Sequence, residues 1–565
     1  MDVPVALGIG SAFVASCWAT LVGGGEVYFD SVTMFVFFLL GGRYLEMIAR
    51  QRAVREVERL AKALPAFASR LTAYPRLDTE RVPIGDLVVG DRVLVKPGEP
   101  IPADAIVLDG ESEADESLLT GEASPVAKRA GDQVTGGTTN TASPLVLHVE
   151  QVGGATRLAA IQRLIERANA ERPRIVQTAD RVATIFVAAL LLLAAIAGVY
   201  WWQVDASRAL SIFVAVLVVS CPCALSLATP TALTVATGAM SRRGLLVTRG
   251  HAIETLARVD HFVFDKTGTL TVGKLQLSGT DVLGQIDPGD ALRLAAALEQ
   301  GSEHAVAQAL RAAVPAGCTL AAVDSLVSVT GQGVEGTIGG RTLRLGREEF
   351  VRELHCIDRP STAPVDRAAT TVALGDAQGW IALFHFTDAV RPHAAELVRA
   401  LKAGGVRVSL LSGDSQQTVL QYAERLGIDH AHGGTSPQAK HAFIEDLQRQ
   451  GRVVAMVGDG VNDAPVLAQA QVSIAMGGGT ELARNQGDIV LLSERLDALS
   501  AGRELARRTV RIIRQNLWWS FGYNLAAIPL AMSGAITPWM AGIGMSASSL
   551  LVVVNALRLQ RQPVR

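Results

Sequence analysis

Six apolar segments, each near the length of a bilayer crossing, set the architecture of this chain before any motif is read. A helix that crosses the hydrocarbon core needs about 20 mostly apolar residues. Such stretches fall at roughly 3–22, 28–48, 182–202, 209–229, 516–533 and 537–556. They come as three hairpins, with about 130 residues between the first and second pairs and about 285 between the second and third. Six crossings use only about 120 of the 565 residues, so most of the chain lies in water. Composition agrees, with 49% hydrophobic and 19% charged residues, against about 25% charge in a soluble domain. The 52 Lys+Arg and 54 Asp+Glu leave a net charge of −2, which argues against a general nucleic-acid binder. The five cysteines, at 17, 221, 223, 318 and 356, are too few and too scattered for a secreted disulfide framework.

Basic residues orient the spans. Arg43 lies near the end of the second segment, Arg50, Arg52 and Arg55 follow it, and Arg242 and Arg243 follow the fourth. Arg507, Arg508, Arg511 and Arg514 precede the fifth, and Arg558, Arg561 and Arg565 follow the sixth. The hairpin turns Gly23–Gly25, Val204–Ser207 and Ser533–Ile536 carry no Lys or Arg, and Arg208 is the one basic residue on their side. Both large insertions are therefore expected in the cytoplasm. The first segment starts almost at Met1 with no basic stretch ahead of it, so it does not read as a signal peptide.

Between about 75 and 150 the runs RVLVKPG, AIVLDG and PLVLHVE alternate with turn signals, which predicts a small β-rich domain. It contains Thr120-Gly121-Glu122, where Gly121 allows a tight turn that holds Glu122 out on a loop. Such a glutamate taken alone reads as a solvated side chain, and its meaning depends on the second insertion.

There, His261–Phe264 reads as a buried parallel strand ending in Asp265-Lys266-Thr267-Gly268-Thr269-Leu270-Thr271. A carboxylate at the carboxyl end of a parallel strand sits where α/β sheets place their ligands. Aspartate is a good phosphoryl acceptor because the acyl phosphate is itself labile. Val406–Leu411 ends in Ser412-Gly413-Asp414, whose hydroxyl and backbone N–H groups suit the same phosphate. Lys440 could neutralise phosphate charge, and Val453–Val457 leads to Asp459 and Asp463, hard oxygen ligands for Mg²⁺. In-line phosphoryl transfer needs a nucleophile, a cation and Mg²⁺, and there are candidates for all three. No GxxxxGK[ST] loop occurs.

Together DKTGTLT, TGE and GDGVNDAP resemble a P-type ATPase over nearly the whole chain. The resemblance implies phosphorylation of Asp265 by ATP, with Lys266, Thr267, Ser412, Gly413, Asp414 and Lys440 around it. Mg²⁺ would be held by Asp265, Thr267, Asp459 and Asp463, and Thr120, Gly121 and Glu122 would position the hydrolytic water. The expected fold is a polytopic α-helical membrane protein of six spans with a cytoplasmic β-rich actuator domain. A haloacid-dehalogenase-like α/β phosphorylation domain completes it and carries an inserted α+β nucleotide domain. By this reading residues 1–48 form the first hairpin, 49–181 the actuator with its linkers, and 182–229 the second hairpin. Residues 230–275 and 385–505 form the phosphorylation domain, 276–384 the nucleotide domain, and 506–565 the third hairpin with the tail. Glu303, His304, Gly331, Gly333 and Gly346 are the implied nucleotide contacts, although Ala305 stands where the family's Ser-Glu-His-Pro segment has proline. Gln471 is a second departure, at a position where the family has aspartate.

The fourth segment contains Ser220-Cys221-Pro222-Cys223. Pro222 removes a helix hydrogen bond at mid-membrane, and the thiols flanking it favour soft metals, Cu(I) first and Zn²⁺ next. The fifth offers Tyr523-Asn524, and the sixth Met545 and Ser549, four residues apart on one helical face. These neutral donors suit a monovalent soft ion. YN with MSASSLLVVVNALRL resembles the copper(I) branch of the heavy-metal P-type ATPases. A Zn²⁺ pump of that subclass would carry a Lys and an Asp in these helices, and neither is present. The resemblance further implies an uptake site of Glu46, Asp180 and Met1, with Asp30 on the release side. The expected activity is ATP-driven export of Cu(I) across a bacterial-type inner membrane, through an aspartyl phosphate. A Zn²⁺/Cd²⁺ pump and a non-transporting metal-binding ATPase fragment are the alternatives.

ATP and Mg²⁺ are the expected cofactors. The expected partners are the bilayer and a copper chaperone or other cuprous donor; no nucleic acid is expected, and the protein should be a monomer. There is no CxxC, and the opening MDVPVALGIG reads as sequence from within the third helix of an eight-helix pump. The family's N-terminal metal-binding domain and first two helices are thus expected to be missing, and a chaperone-docking platform with them.

Overall fold

The computed structural model describes residues 3–22, single positions between 27 and 48, 64–117, 124–170, 174–219, 223–302, 304–315, 318, 320–329, 332–357, 370–459, 464–477, 487–493 and 495–560. They form two compact units: 1–258 with 488–493 and 498–565, and 259–487 with 494–497.

The first unit holds a helical bundle and a β-rich part. The bundle helices are Val3–Val22, Arg174–Val204, Ala206–Val219, Cys223–Ser241, Ala498–Met532 and Pro538–Leu557. Its interior is lined by small side chains, among them Ala194, Ala197, Ala215, Ala527, Ala531 and Ala541, together with Ile212, Leu217 and Met545. Its outside carries Trp18, Ile185, Leu192, Trp202, Trp518 and Phe521, all exposed. Small residues inside and large apolar ones outside is the packing of helices in lipid, where close backbone approach replaces hydrophobic burial.

Among the described residues, Arg181–Val204 and Pro538–Leu557 are long and apolar enough to cross a membrane, while Ala6–Val22 and Ala206–Val219 are shorter apolar helices. Among the described residues the expected spans differ from the helices in two places, and the expected span 28–48 lies largely outside them. The stretch 209–229 divides into Ala206–Val219 and Cys223–Ser241, with Ser220, Cys221 and Pro222 outside the described residues. The stretch 516–533 is the apolar end of one helix running from Ala498 to Met532. Hydropathy misses its first half because that half is amphipathic. Leu505, Ala506, Thr509, Ile512 and Ile513 are buried at helical spacing, and arginines occupy the other side.

The β-rich part is a six-stranded antiparallel sheet in the order Thr79–Pro83, Phe67–Leu71, Arg92–Val95, Leu145–Gln151, Asp104–Asp109, Gln133–Val134. Val93, Val95, Val107, Leu145, Leu147 and Val149 form its core. A second sheet of Val126–Lys128, Ser112–Asp115 and Thr139–Asn140 adjoins it. Buried Asn140 ties the two, donating to the carbonyls of Val95 (3.0 Å) and Ser143 (2.7 Å) and accepting from the Ser112 hydroxyl (2.7 Å).

The second unit is built on a parallel sheet in the order Val472–Met476, Val454–Gly458, His261–Asp265, Arg407–Leu411, His430–His432. Its central strands are buried throughout, as near-continuous apolar runs require. Asp265 lies beside Leu411 and Phe264 beside Val457, so these strands end nearly level. Inserted after the first strand is an antiparallel sheet. Its order is Thr271–Val282, Gly379–Val390, Thr370–Asp376, Arg341–Gly346, Gly333–Ile338, Ser325–Val329. Helices Pro288–Leu298 and Ala305–Ala313 cover one face through Ala291, Ala295, Leu298 and Leu310 against Phe384 and Phe386. The other face packs Val351 against Trp380 and Leu383. The insertion is entered and left on paired strands, with Thr271 opposite Val390, so the expected edges 276 and 384 fall inside strands.

Candidate functional site

Asp265 is the last residue of the central strand and is buried. The chain then turns through Lys266–Leu270, with Gly268 at φ +70°, a conformation that favours glycine. A Cβ at Gly268 would lie 2.6 Å from Asp459 Oδ2, so the absent side chain is what lets the Asp459 carboxylate close over this turn.

Lys440 reaches Asp265 from another element. Helix Pro437–Arg449 starts at Ser436, whose hydroxyl accepts the Ala439 N–H at 3.2 Å, and the cap sets Lys440 in its first turn. Lys440 Nζ lies 2.5 Å from Asp265 Oδ1, and both side chains are buried. Lys266 turns the other way, 2.6 Å from Asp414 Oδ2 and 5.0 Å from the centre of the Tyr422 ring. Ser412 is buried one residue past its strand. Its N–H donates to His432 O (3.0 Å), and its carbonyl accepts from the N–H (3.0 Å) and hydroxyl (2.7 Å) of Thr435. Its own Oγ accepts the Asp414 N–H (3.2 Å).

One end of the sheet thus gathers Asp265, Lys266, Ser412, Gly413, Asp414, Lys440 and Asp459. Thr267 sits in the same turn with its side chain exposed. Asp463 lies outside the described residues, as do Thr120, Gly121 and Glu122, which follow Ser117, the last described residue of its segment. The Asp265 and Asp459 carboxylates beside a turn with no room for a Cβ fit a hard divalent cation such as Mg²⁺.

Three residues here were not singled out in the sequence. Asp388, on the strand returning from the insertion, accepts from the Thr271 hydroxyl (2.5 Å) and the Gly273 N–H (2.9 Å). Tyr422 donates its phenol to the Asp388 carbonyl (2.8 Å), and burial raises that phenol's pKa against the opposing pull of Lys266. Arg391 donates its backbone N–H to Leu270 O (2.8 Å) and its guanidinium to Gly268 O (3.2 Å). The only signal was Asp388 and Arg391 standing just ahead of Pro392, after an apolar run.

In the inserted sheet, His304 caps helix Ala305–Ala313, its Nδ1 accepting the Val306 N–H at 3.4 Å. Arg311 fastens the turn before it, donating to the carbonyls of Glu299 (2.6 Å) and Ser302 (2.7 Å). Gly333 and Gly346 are cross-strand partners, and a Cβ on either would lie 2.2 Å from a carbonyl oxygen of the other strand. Backbone approach alone therefore demands both glycines. Glu303 and Gly331 are outside the described residues. Gln471 is remote from the phosphoryl site. It bridges the opposite end of the sheet, accepting from Val454 N (2.9 Å) and donating to Arg452 O (3.2 Å).

In the helical bundle, the Tyr523 hydroxyl lies 2.7 Å from where a Cβ on Gly544 would stand, so the neighbouring helix needs glycine there. Asn524 is buried, and its Oδ1 has no hydrogen-bond partner among the described residues. Tyr523 packs against the cluster that contains Met545. Ser549 lies one turn on and is half-buried, and its neighbour Ser548 accepts from Trp519 Nε1 (3.1 Å). Cys223 begins helix Cys223–Ser241, and Cys221 lies outside the described residues. Asp30 is helical and exposed. Asp180 belongs to helix Arg174–Val204 with its side chain undescribed, and Met1 and Glu46 are outside the described residues.

Residues 68–166 match the P-type ATPase actuator domain, and residues 259–471 match the haloacid dehalogenase-like hydrolases. A probable copper-exporting P-type ATPase V of Mycobacterium tuberculosis is 42% identical over 99% of this chain and 73% of its own length. A copper-transporting P-type ATPase of Rhizobium leguminosarum bv. viciae is 36% identical over 98% of this chain and 69% of its own. The crystal structure of a zinc-transporting PIB-type ATPase in the E2.Pi state aligns with 98% of this chain and 90% of its own. The TM-score is 0.63, with 31% identity.

Proposed function

This chain belongs to the heavy-metal P-type ATPases, membrane enzymes that hydrolyse ATP to move metal ions, and we propose that its cargo is Cu(I), exported from the cytoplasm. One observation carries the choice of ion. The apolar half of helix Ala498–Met532 and all of Pro538–Leu557 contain no charged residue, and their buried polar groups are neutral. The carbonyl oxygen of Asn524, without a hydrogen-bond partner among the described residues, and the thioether of Met545 suit a monovalent soft ion, as do the thiols of Cys221 and Cys223 in the sequence. A divalent ion would call for a compensating carboxylate in these helices.

Chemistry at the other site follows from its geometry. An Asp265 oxygen attacks the γ-phosphorus of ATP in line with the departing ADP oxygen, forming the acyl phosphate. Lys440 stands beside the nucleophile, and Lys266, 2.6 Å from Asp414, faces the neighbouring loop; both would balance the charge of the transferred group. The Ser412 Oγ already accepts the Asp414 N–H, which leaves its O–H to donate to phosphate. Mg²⁺ held by Asp265, Asp459 and Asp463, with Thr267 beside them, would supply the positive charge that phosphoryl transfer needs. Glu122 would position the water that resets the enzyme. The same proposal includes six spans, a nucleotide site near Glu303 and His304, delivery by a cuprous donor, and a bacterial-type inner membrane.

The test is ATPase activity of the reconstituted chain with Cu(I) or Zn²⁺ as the sole added metal. Stimulation by Cu(I) and loss of activity in Asp265→Asn are expected. Stimulation by Zn²⁺ without Cu(I) would overturn the copper reading.

A further inference from the structure

Helix Ala498–Met532 changes character along one line of its surface. Arg507, Arg511 and Arg514 are exposed, and so are Trp518 (72%), Phe521 (58%) and Leu525 (65%). At 3.6 residues per turn these six positions fall within about 40° of a common line. The opposite face is buried, from Leu505 through Ile512, Asn516, Ser520 and Asn524 to Ala527. Charge gives way to aromatic and aliphatic surface between Arg514 and Trp518, about 6 Å of rise. Trp518 and Phe521 meet edge to face with ring centres 6.0 Å apart. Arg508 pairs with Glu504 on the flank, while no carboxylate among the described residues pairs with Arg507, Arg511 or Arg514.

The neighbouring helix ends at the same level. Asn555 donates to Asn516 Oδ1 (2.8 Å) on the buried face, and exposed Arg558 donates to Asn555 Oδ1 (3.0 Å), so Arg558 stands at the same level but on the side away from the stripe.

We propose that this stripe binds an anionic phospholipid, with Arg511 and Arg514 on the phosphate headgroup and Trp518, Phe521 and Leu525 along the acyl chains. Arg507 lies further out and adds long-range attraction. Exposed guanidinium groups in water hold a free anion weakly, so inorganic phosphate alone has no second anchor here. A lipid has one, because the apolar continuation of the stripe accepts its chains. Charge complementarity selects an acidic headgroup over a zwitterionic one. The proposal rests on the chain's membrane placement and is independent of which metal is carried.

The test uses the full chain in zwitterionic micelles, titrated with brominated phosphatidylglycerol or brominated phosphatidylcholine. Tryptophan fluorescence quenching is the readout, and no ATPase measurement enters it. Phosphatidylglycerol should quench at lower concentration, and Trp518→Phe should remove part of the quenchable signal. Arg511→Gln/Arg514→Gln should weaken the phosphatidylglycerol response by about 30-fold, from about 1 kcal/mol per arginine. Arg511→Lys/Arg514→Lys should keep it, which separates loss of charge from misfolding. Equal quenching by the two lipids, an unchanged response in the glutamine variant, or full competition by millimolar inorganic phosphate would overturn the proposal.

Discussion

Lys440 and Asp265 place opposite charges together in a buried site, where neither is tolerated without the other. Lys440→Ala would remove the cation paired with the buried carboxylate, destabilising the second unit by about 3 kcal/mol. It also removes a cation from the transition state, so phosphoenzyme formation should fall by about 100-fold. Rapid-quench labelling with radioactive ATP measures the rate, and urea unfolding measures the stability. Gly268→Ala tests a different contact. The positive φ costs about 1 kcal/mol, and the new Cβ must push Asp459 Oδ2 away from 2.6 Å. The Mg²⁺ concentration for half-maximal phosphorylation should rise several-fold while ATP affinity stays unchanged; an unaltered Mg²⁺ dependence would separate Asp459 from the metal. Residues of this kind were legible in the sequence when they sat in one short motif, as Asp265 and Gly268 do. Asp388, Tyr422 and Arg391 were not, because pairing and packing between segments distant in sequence bring them to the site.

At the scale of elements, His261 opens the central strand of the parallel sheet, buried, with Nε2 2.8 Å from the Ser409 hydroxyl. Burial pushes its pKa down from 6.5 to about 4. A histidine depressed in the folded state is protonated first in the unfolded chain, so it removes stability as pH falls from about 6.5 toward about 4. Above that window it has no such effect. The thermal midpoint of the wild type should therefore fall more steeply between pH 6.5 and 5 than that of His261→Asn; parallel curves would assign the acid sensitivity elsewhere. Arg208, the basic residue that broke the charge pattern of the hairpin turns, has an equally local cause. It donates to Gly534 O (3.1 Å) and lies 4.7 Å from the Trp201 ring centre, while Trp201 Nε1 donates to Met532 O (2.9 Å). The pair clasps two hairpin turns, and Arg208→Ala should cost about 2 kcal/mol in detergent unfolding. Strand positions were readable from β-branched runs, because a strand buried on both faces must be apolar throughout. Helix Ala498–Met532 was only half readable, since its basic half satisfies one face at a time.

For the molecule as a whole, the residues proposed for metal chemistry and for phosphate chemistry belong to different compact units. Asp265, Lys440 and Asp459 lie in the unit of residues 259–487, and Cys221, Cys223, Asn524 and Met545 in the other. The actuator and haloacid dehalogenase-like parts were legible in the sequence because motifs and turn composition mark them directly. How one site biases the other was not, because coupling is a difference in free energy between states and no motif encodes it. The division still makes a sharp prediction. If the cysteines only bind cargo, Cys221→Ser/Cys223→Ser leaves the phosphoryl site intact, and Asp265 should still form its acyl phosphate from inorganic phosphate and Mg²⁺. Phosphorylation by ATP should be lost, because that step requires bound metal to favour the competent state. Loss of both reactions would mean that the thiols support the fold of the bundle. Retention of both would show that hydrolysis runs without the cargo, and the enzyme would then be an uncoupled ATPase.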